Sequence, residues 1–479
     1  MNKPNAAGAA QPNVIVFFTD QQRWDTSSLH GNPLDLMPNF ERMAFRGTHL
    51  PHHFTCQPVC GPARACFQTG RYATETGCYR NGIPLRDGAH TLATEFNTAG
   101  YHTGYIGKWH LGGTTPNWDR DQQEPVPPQR RGGYREWLAA DMLEFASDAY
   151  DTRLFDTDDC LVRLPGYRVD ALTDAAIRFV DRHQREPFFL FLSFLEPHHQ
   201  NSRDDYPAPR GYEERYRGGW IPPDLQHLVG SAAKHVAGYY GMIKRLDEAL
   251  GRLLETLASL GLEDDTVLLF TSDHGNHFKT RNGEYKRSCH DASIRVPTAI
   301  QGPGFDGGGR VEALTSIVDL MPTLLDAAGI PLPASVSGRS ILPLLKHGTD
   351  PAGIGMASRE GRTDSAWPDD VYVQISESQV GRAVRTRRWK YSVVALDVDP
   401  VSESRADRYT EECLYDLVSD PYELENLIDE PAYRRVAERM RVRLLKRIMS
   451  IEGEVPEIIP VPPGAASGQR VVLPEEIDA

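Results

Sequence analysis

Val14-Ile15-Val16-Phe17-Phe18-Thr19 runs straight into Asp20-Gln21. The run has no polar alternation, so it reads as a strand buried on both faces, the kind found in parallel sheets covered by helices. In open α/β sheets ligands gather just beyond the carboxyl ends of strands. Asp20 falls at that point. It is either a site residue or an acid opening a turn, and the strand alone does not choose.

Three more apolar runs behave the same way. His102 to Ile106 ends in Gly107-Lys108-Trp109-His110-Leu111-Gly112. Phe188 to Phe194 ends in Glu196-Pro197-His198-His199, and Thr266 to Thr271 ends in Ser272-Asp273-His274-Gly275. Helical stretches separate them: Pro38 to Phe45 stopped by Gly47, Val169 to His183, and Met242 to Leu260 stopped by Gly261. The pattern predicts an α/β fold, a large and mostly parallel sheet sandwiched by helices. Four strand ends supplying carboxylates, histidines and a lysine point to one site at one edge of that sheet.

The segment Val59-Cys60-Gly61-Pro62-Ala63-Arg64-Ala65-Cys66-Phe67-Gln68-Thr69-Gly70-Arg71 should begin a helix near Cys60, since Pro62 suits a first turn. Cys60 and Arg64 would share one face, at the end of the helix that favours an anion. A cysteine alone would read as a small buried hydrophobe.

This segment resembles the C-x-P-x-R and T-G-R signature of the formylglycine-dependent (type I) sulfatases. These belong to the alkaline phosphatase superfamily, and the resemblance lies near its arylsulfatase and phosphonate monoester hydrolase branch. Cys56 has a cysteine rather than an arginine four residues on, so the pattern selects Cys60. Gly107 to Gly112 resembles the family's G-K-W-H-x-G. Lys286 to Pro297 resembles K-x-x-x-Y-E-x-S-x-R-V-P, with His290-Asp291 where Tyr-Glu is usual, a structural departure. The likeness spans Asn13 to about Leu427.

The resemblance implies a sulfuric ester hydrolase in which Cys60 is oxidised to formylglycine (3-oxoalanine) by a maturation enzyme. The hydrate would attack sulfur. Arg64 would hold the formylglycine, Lys108 and Lys286 would bracket the sulfate, His110 would take a proton and His198 would face the leaving group. Asn81 resembles a substrate-binding position of the phosphonate monoester hydrolases. Asp20, Gln21, Asp273 and His274 would ligate a divalent metal. Three oxygen donors and one imidazole favour Ca2+, with Mg2+ or Mn2+ as alternatives. The phosphonate enzymes share the Asp-Gln and Asp-His pairs but place hydroxyl residues where this chain has Lys108 and His110. That pair tips the reading to sulfate over a phosphonate or phosphate ester. An inactive binding scaffold is the remote alternative. The substrate's organic part is a sulfated carbohydrate or a small aryl or alkyl sulfate, with the loop-rich stretch 114–167 expected to decide it.

Composition narrows the partners. The 479 residues are 40% apolar and 25% charged, with a net charge of −14. That excludes a general nucleic-acid binder, though a local cationic cleft can still take an anion. The first apolar run is too short for a membrane span, no signal peptide is apparent, and seven cysteines suit free thiols, so a cytoplasmic location is expected. Residues 1–355 are expected to form the catalytic domain and 370–452 a small α+β domain with a short antiparallel sheet. In the latter, Thr386 to Tyr391 and Leu414 to Leu417 read as strands and Pro431 to Ile451 as a helix. Residues 453–479 read as an irregular Pro-rich tail suited to reaching a neighbouring subunit, hence a homo-oligomer joined through the C-terminal region.

Overall fold

The computed structural model describes residues 11–114, 119–307, 309–345 and 367–462. Every residue of β1 (Asn13–Thr19) is buried. Val14, Val16 and Phe18 point into one core, Ile15 and Phe17 into another on the opposite face. A strand between two cores has no polar face, which is why its sequence does not alternate.

The further strands are β2 (Thr48–His49), β3 (His53–Phe54), β4 (His102–Lys108), β5 (Glu136–Ala140), β6 (Thr152–Asp156), β7 (Leu161–Leu164), β8 (Phe188–Ser193), β9 (Thr266–Ser272), β10 (Ala299–Gln301), β11 (Gly309–Arg310) and β12 (Thr315–Ser316). Ten of these make one sheet in the order β11-β2-β10-β9-β1-β8-β4-β5-β6-β7. Its centre, from β9 to β5, is parallel; β10 on one side and the β6–β7 hairpin on the other are antiparallel additions. β3 and β12 form a separate two-stranded ribbon. The four strands singled out by sequence are therefore neighbours, β9-β1-β8-β4, and their carboxyl ends share one edge.

Helices cover both faces. α1 (Pro38–Arg46) lies beside β2 and β10, and the fully buried α2 (Cys60–Thr69) packs into the core that holds Phe18. The helices Arg168–His183 and Ala232–Ser259, with α1, fill the face opposite α2. The second of these begins ten residues before the expected Met242. Gly238 and Gly241 weaken its helical signal. Gly238 is needed there because a Cβ would stand 2.3 Å from the Tyr206 carbonyl oxygen.

Residues 119–167 are also more ordered than their composition suggested. They hold β5, the short helix Leu143–Ala146 and the β6–β7 hairpin. β7 is an edge strand with exposed Leu161 and Arg163, so no one-sided apolar period marks it.

A second sheet follows, of β13 (Asp370–Ile375), β14 (Val380–Thr386), β15 (Trp389–Ala395), β16 (Arg408–Asp416) and β17 (Glu457–Ile459), in that order. The helix Arg434–Glu452 packs on β14 and β15. Thr386 to Tyr391, expected as one strand, straddles the turn between β14 and β15, where the Thr386 hydroxyl accepts from the Trp389 amide. The tail is not wholly irregular either. Between Pro456 and Pro460, β17 pairs in parallel with β16 of its own sheet. Two prolines leave the three amides between them free to pair. Residues 346–366 and the end of the tail lie outside the described residues. No helix among those described is long and apolar enough to cross a membrane, and the seven cysteines form no disulfide.

Candidate active site

Cys60 opens α2 and its side chain faces the shared strand edge. Its Sγ lies 2.8 Å from Lys286 Nζ, 3.2 Å from His274 Nε2 and 3.6 Å from Asp20 Oδ1. Burial pushes the thiol up, but Lys108, Lys286, His274 and His110 overrule it and hold it well below an ordinary cysteine. These surroundings favour the thiolate over the thiol. The first turn is closed from outside. Val59 provides no side-chain cap, and Asn81 Oδ1 instead accepts from the Gly61 amide at 2.9 Å. A Cβ on Gly61 would stand 3.0 Å from Asn81 Oδ1 and 3.1 Å from the His110 carbonyl, so this close approach requires glycine.

Arg64, expected to hold the formylglycine, is anchored through both Nη atoms. Its Nη1 donates to Ser193 Oγ (2.7 Å) and the Lys108 carbonyl (2.9 Å). Its Nη2 donates to Asp20 (2.9 Å) and lies 3.3 Å from Asp273 Oδ2. Arg64 thus draws four strand ends together, those of β1, β4, β8 and β9.

Asp20 and Asp273 are both fully buried. Burial and the Cys60 charge push Asp20 up, yet Lys108, His198 and Arg64 hold it below the usual carboxylate range. Burial and the neighbouring Asp20 push Asp273 up to about 6. His274 Nδ1 faces the Gly275 carbonyl at 3.0 Å, which makes Nδ1 the protonated nitrogen. Nε2 faces Asp20 Oδ1 (3.7 Å) and Asp273 Oδ1 (3.6 Å). Beside them Gln21 Oε1 is buried without a hydrogen-bond partner, while its Nε2 donates to Tyr206. Two crowded carboxylates, an imidazole nitrogen and an orphaned amide oxygen fit a divalent cation.

Lys108 is fully buried and paired with Asp20 (2.8 Å) and Glu144 (3.1 Å). Glu144 also lies 3.9 Å from His110 Nδ1. His198 Nε2 is 3.1 Å from Lys286 Nζ, and His198 Nδ1 donates to the His199 carbonyl. Burial and then Lys286 lower the pKa of His198. Gln21 and His110 adopt left-handed backbone conformations, as does Arg287 beside Lys286 (φ 66°, 60° and 66°). Strain of this kind persists where the surroundings over-determine it.

The structure brings all eleven sequence-derived positions to this edge. Sequence reasoning missed Ser193, Glu144 and Tyr206. Ser193 carried the same signal as Asp20, a polar residue ending an apolar strand. Glu144 sits among Met142, Leu143 and Phe145, an acid in an apolar setting. Nothing local marks Tyr206.

The profile of the sulfatase family matches residues 12–330, about two thirds of the molecule. The chain belongs to the sulfatase family. It is a sulfuric ester hydrolase of the alkaline phosphatase superfamily. A second profile, the C-terminal region of N-sulphoglucosamine sulphohydrolase, matches residues 283–450 of this sulfatase. Among characterised relatives, the ulvan-active sulfatase of Formosa agariphila is 28% identical over 456 residues, 93% of this chain and 82% of that one. The choline-sulfatase of Rhizobium meliloti is 28% identical, covering 88% and 83%. A solved structure in complex with its substrate D-glucosamine-2-N,6-O-disulfate has the same fold, with TM-score 0.72, 23% identity and coverage of 93% and 99%. The phosphonate monoester hydrolase of Silicibacter pomeroyi shares it at TM-score 0.65, 23% identity, covering 92% and 96%.

Proposed function

We propose that this sulfatase cleaves sulfate monoesters of carbohydrates, using formylglycine derived from Cys60 and a divalent metal, with Ca2+ favoured. The observation that carries this reading is the position of Cys60 Sγ, between Lys286 and His274 and against the carboxylate cluster. Water is consumed, the S–O bond to the alcohol breaks, and sulfate and the free alcohol leave. Formylglycine supplies, as its hydrate, a hydroxyl nucleophile on a carbon that can shed sulfate afterwards. Asp20, Gln21, Asp273 and His274 would hold the metal, which supplies positive charge for sulfate oxygens and acidifies a nearby hydroxyl.

The remaining work falls to the chain's own side chains. Lys286, 2.8 Å from Cys60 Sγ, and the buried Lys108 would act as fixed cations where negative charge builds on sulfate; one such donor contributes about 3 kcal/mol. His110, beside Glu144, is the base for the second hydroxyl. His198 and Lys286 share one proton network across 3.1 Å, suited to protonating the departing alcohol. Arg64 positions the metal ligands rather than the nucleophile. Asn81 holds the helix that carries Cys60.

The carbohydrate assignment draws support from relatives named for ulvan and N-acetylglucosamine-6-sulfate activity and from the disulfated-glucosamine complex. Phosphonate monoesters are a second reading, favoured by the Asp-Gln and Asp-His pairs and the Silicibacter pomeroyi likeness. Mass spectrometry of the Cys60 peptide from protein matured with a formylglycine-generating enzyme tests the nucleophile. A loss of about 18 Da is expected from the oxidation chemistry, and Cys60→Ala should be folded and inactive. An unmodified peptide from active enzyme overturns the reading. A panel of sulfated sugars, aryl sulfates and phosphonates, with and without Ca2+, resolves the substrate.

A further inference from the structure

The turn between β13 and β14 belongs to the second sheet, yet its side chains reach the catalytic edge. Ser376 Oγ donates to the Tyr79 carbonyl and accepts from Gln57 Nε2 at 2.7 Å. Ser378 Oγ donates to the Arg287 carbonyl at 2.8 Å. Between them, Glu377 uses both carboxylate oxygens. Its Oε1 accepts from the Asn81 amide at 2.6 Å, and its Oε2 pairs with the Arg287 guanidinium. Asn81 caps the first turn of α2 at Gly61, the residue after Cys60. Arg287 follows Lys286, whose Nζ lies 2.8 Å from Cys60 Sγ. One side chain therefore ties together the two segments that meet at position 60.

We propose that Glu377 is a positioning residue for sulfate-ester cleavage: it fixes the separation between the helix that carries Cys60 and the loop that carries Lys286. The proposal rests on the roles assigned above to position 60 and Lys286. Glu377 touches neither sulfate nor the reacting atoms. It acts through Asn81 on one side and Arg287 on the other.

The backbone argues that the side chain is needed there. Glu377 has a φ of 66°, a left-handed conformation that favours glycine. A hairpin turn alone would be better served by glycine, so the glutamate stands there at a conformational cost. Strain of this kind gathers at functional sites. Arg287 has the same φ of 66°, and the turn supplies two of the contacts that hold it, from Glu377 and Ser378. Charge balance does not explain the pair. Glu284, in the same loop as Arg287, already pairs with the other end of its guanidinium. The second carboxylate instead adds a tie between the two sheets. The Arg287 and Glu377 side chains are each 16% exposed, and a charge-assisted pair with so little access to water keeps one geometry. Without it the Lys286 loop and α2 can drift apart. A misplacement of about 1 Å costs on the order of 100-fold in rate.

The test uses the matured full-length protein and two variants. Glu377→Gly deletes the carboxylate and relieves the left-handed backbone. Its melting midpoint should equal or exceed that of wild type, while kcat on a sugar sulfate falls roughly 10–100-fold with KM little changed. The fall should be smaller on 4-nitrophenyl sulfate, whose leaving group departs without a proton from the Lys286 and His198 network. Amide exchange read by mass spectrometry should speed up in the peptides that hold Gly61 and Lys286 and stay unchanged in β4 and β8. Glu377→Gln keeps an oxygen for the Asn81 amide and loses the charge facing Arg287. It should loosen the Lys286 peptide alone. Exchange needs no turnover, so a wild-type protein inactive on sulfate esters would sink the proposed function and leave this measurement standing. Wild-type exchange at both segments in Glu377→Gly would overturn the proposal. So would a lowered midpoint with an equal loss on both substrates, the mark of a merely structural contact.

Discussion

Gln21 is a glutamine in a left-handed backbone conformation whose amide oxygen is buried and unpartnered. An unmet acceptor in the interior costs about 1–3 kcal/mol. A cation between Asp20, Asp273 and His274 would remove that cost. Gln21→Met keeps the length of the side chain and deletes the oxygen. It should weaken Ca2+ binding by about tenfold, roughly 1.4 kcal/mol, with the fold unchanged by circular dichroism. Calorimetric titration with Ca2+ reads this, and unchanged affinity removes Gln21 from the ligand set. Gln21 was legible as a candidate from its place after β1. Its orphaned oxygen was not, because that depends on what the surrounding elements leave undone.

α2 begins at the residue that matters most and lacks a cap of its own. Asn81, twenty residues on from Gly61, supplies it. Its own amide is anchored to Glu377, in the turn between β13 and β14. Asn81→Ala should cost about 1 kcal/mol, the usual worth of a cap, seen as a lower denaturant midpoint. A larger loss of turnover than of stability would show that the cap also aims position 60. The β3–β12 ribbon makes a different prediction. Burial holds the His53 pKa down to about 3, and its Nδ1 meets Thr315 Oγ1 at 2.9 Å. A histidine with a depressed folded pKa adds stability above its unfolded value of about 6.5, and that stability is lost as pH falls toward 3. His53→Asn keeps the contact to Thr315 and cannot titrate. Its melting midpoint should therefore fall less steeply than wild type between pH 6.5 and 4; parallel profiles would place the acid sensitivity elsewhere.

The two sheets are not separate bodies. One core runs from Val14 and Phe67 through Tyr391 and Leu414 to Met440. A buried ionic cluster joins them as well. Asp291 accepts from Arg385 at 3.1 Å and pairs with Lys390, which also pairs with Glu423. His290 meets the Tyr415 hydroxyl at 3.1 Å. The His290-Asp291 departure from the usual family pair therefore serves the contact between sheets and lies outside the chemistry. Removing one partner of a buried ion pair costs about 3–5 kcal/mol. Asp291→Asn should lower the melting temperature by several degrees while both sheets still unfold in one transition. Two resolved transitions would mean that the small sheet is independently stable.

The sequence by itself determined the strands buried on both faces, the edge where their polar ends collect, and the eleven candidate positions gathered there, Cys60 among them. Those follow from local chemistry: an apolar run cannot face water, and a polar residue ending it must sit at the rim. Only the tertiary structure decided that Arg64 binds two carboxylates, a hydroxyl and a carbonyl from four strand ends. It also decided that Glu144, Ser193 and Tyr206 complete the site, and that Glu457 to Ile459 joins its own sheet. Each of these rests on contacts between residues tens to hundreds of positions apart. Burial there leaves every polar group to find whichever partner the fold brings within reach.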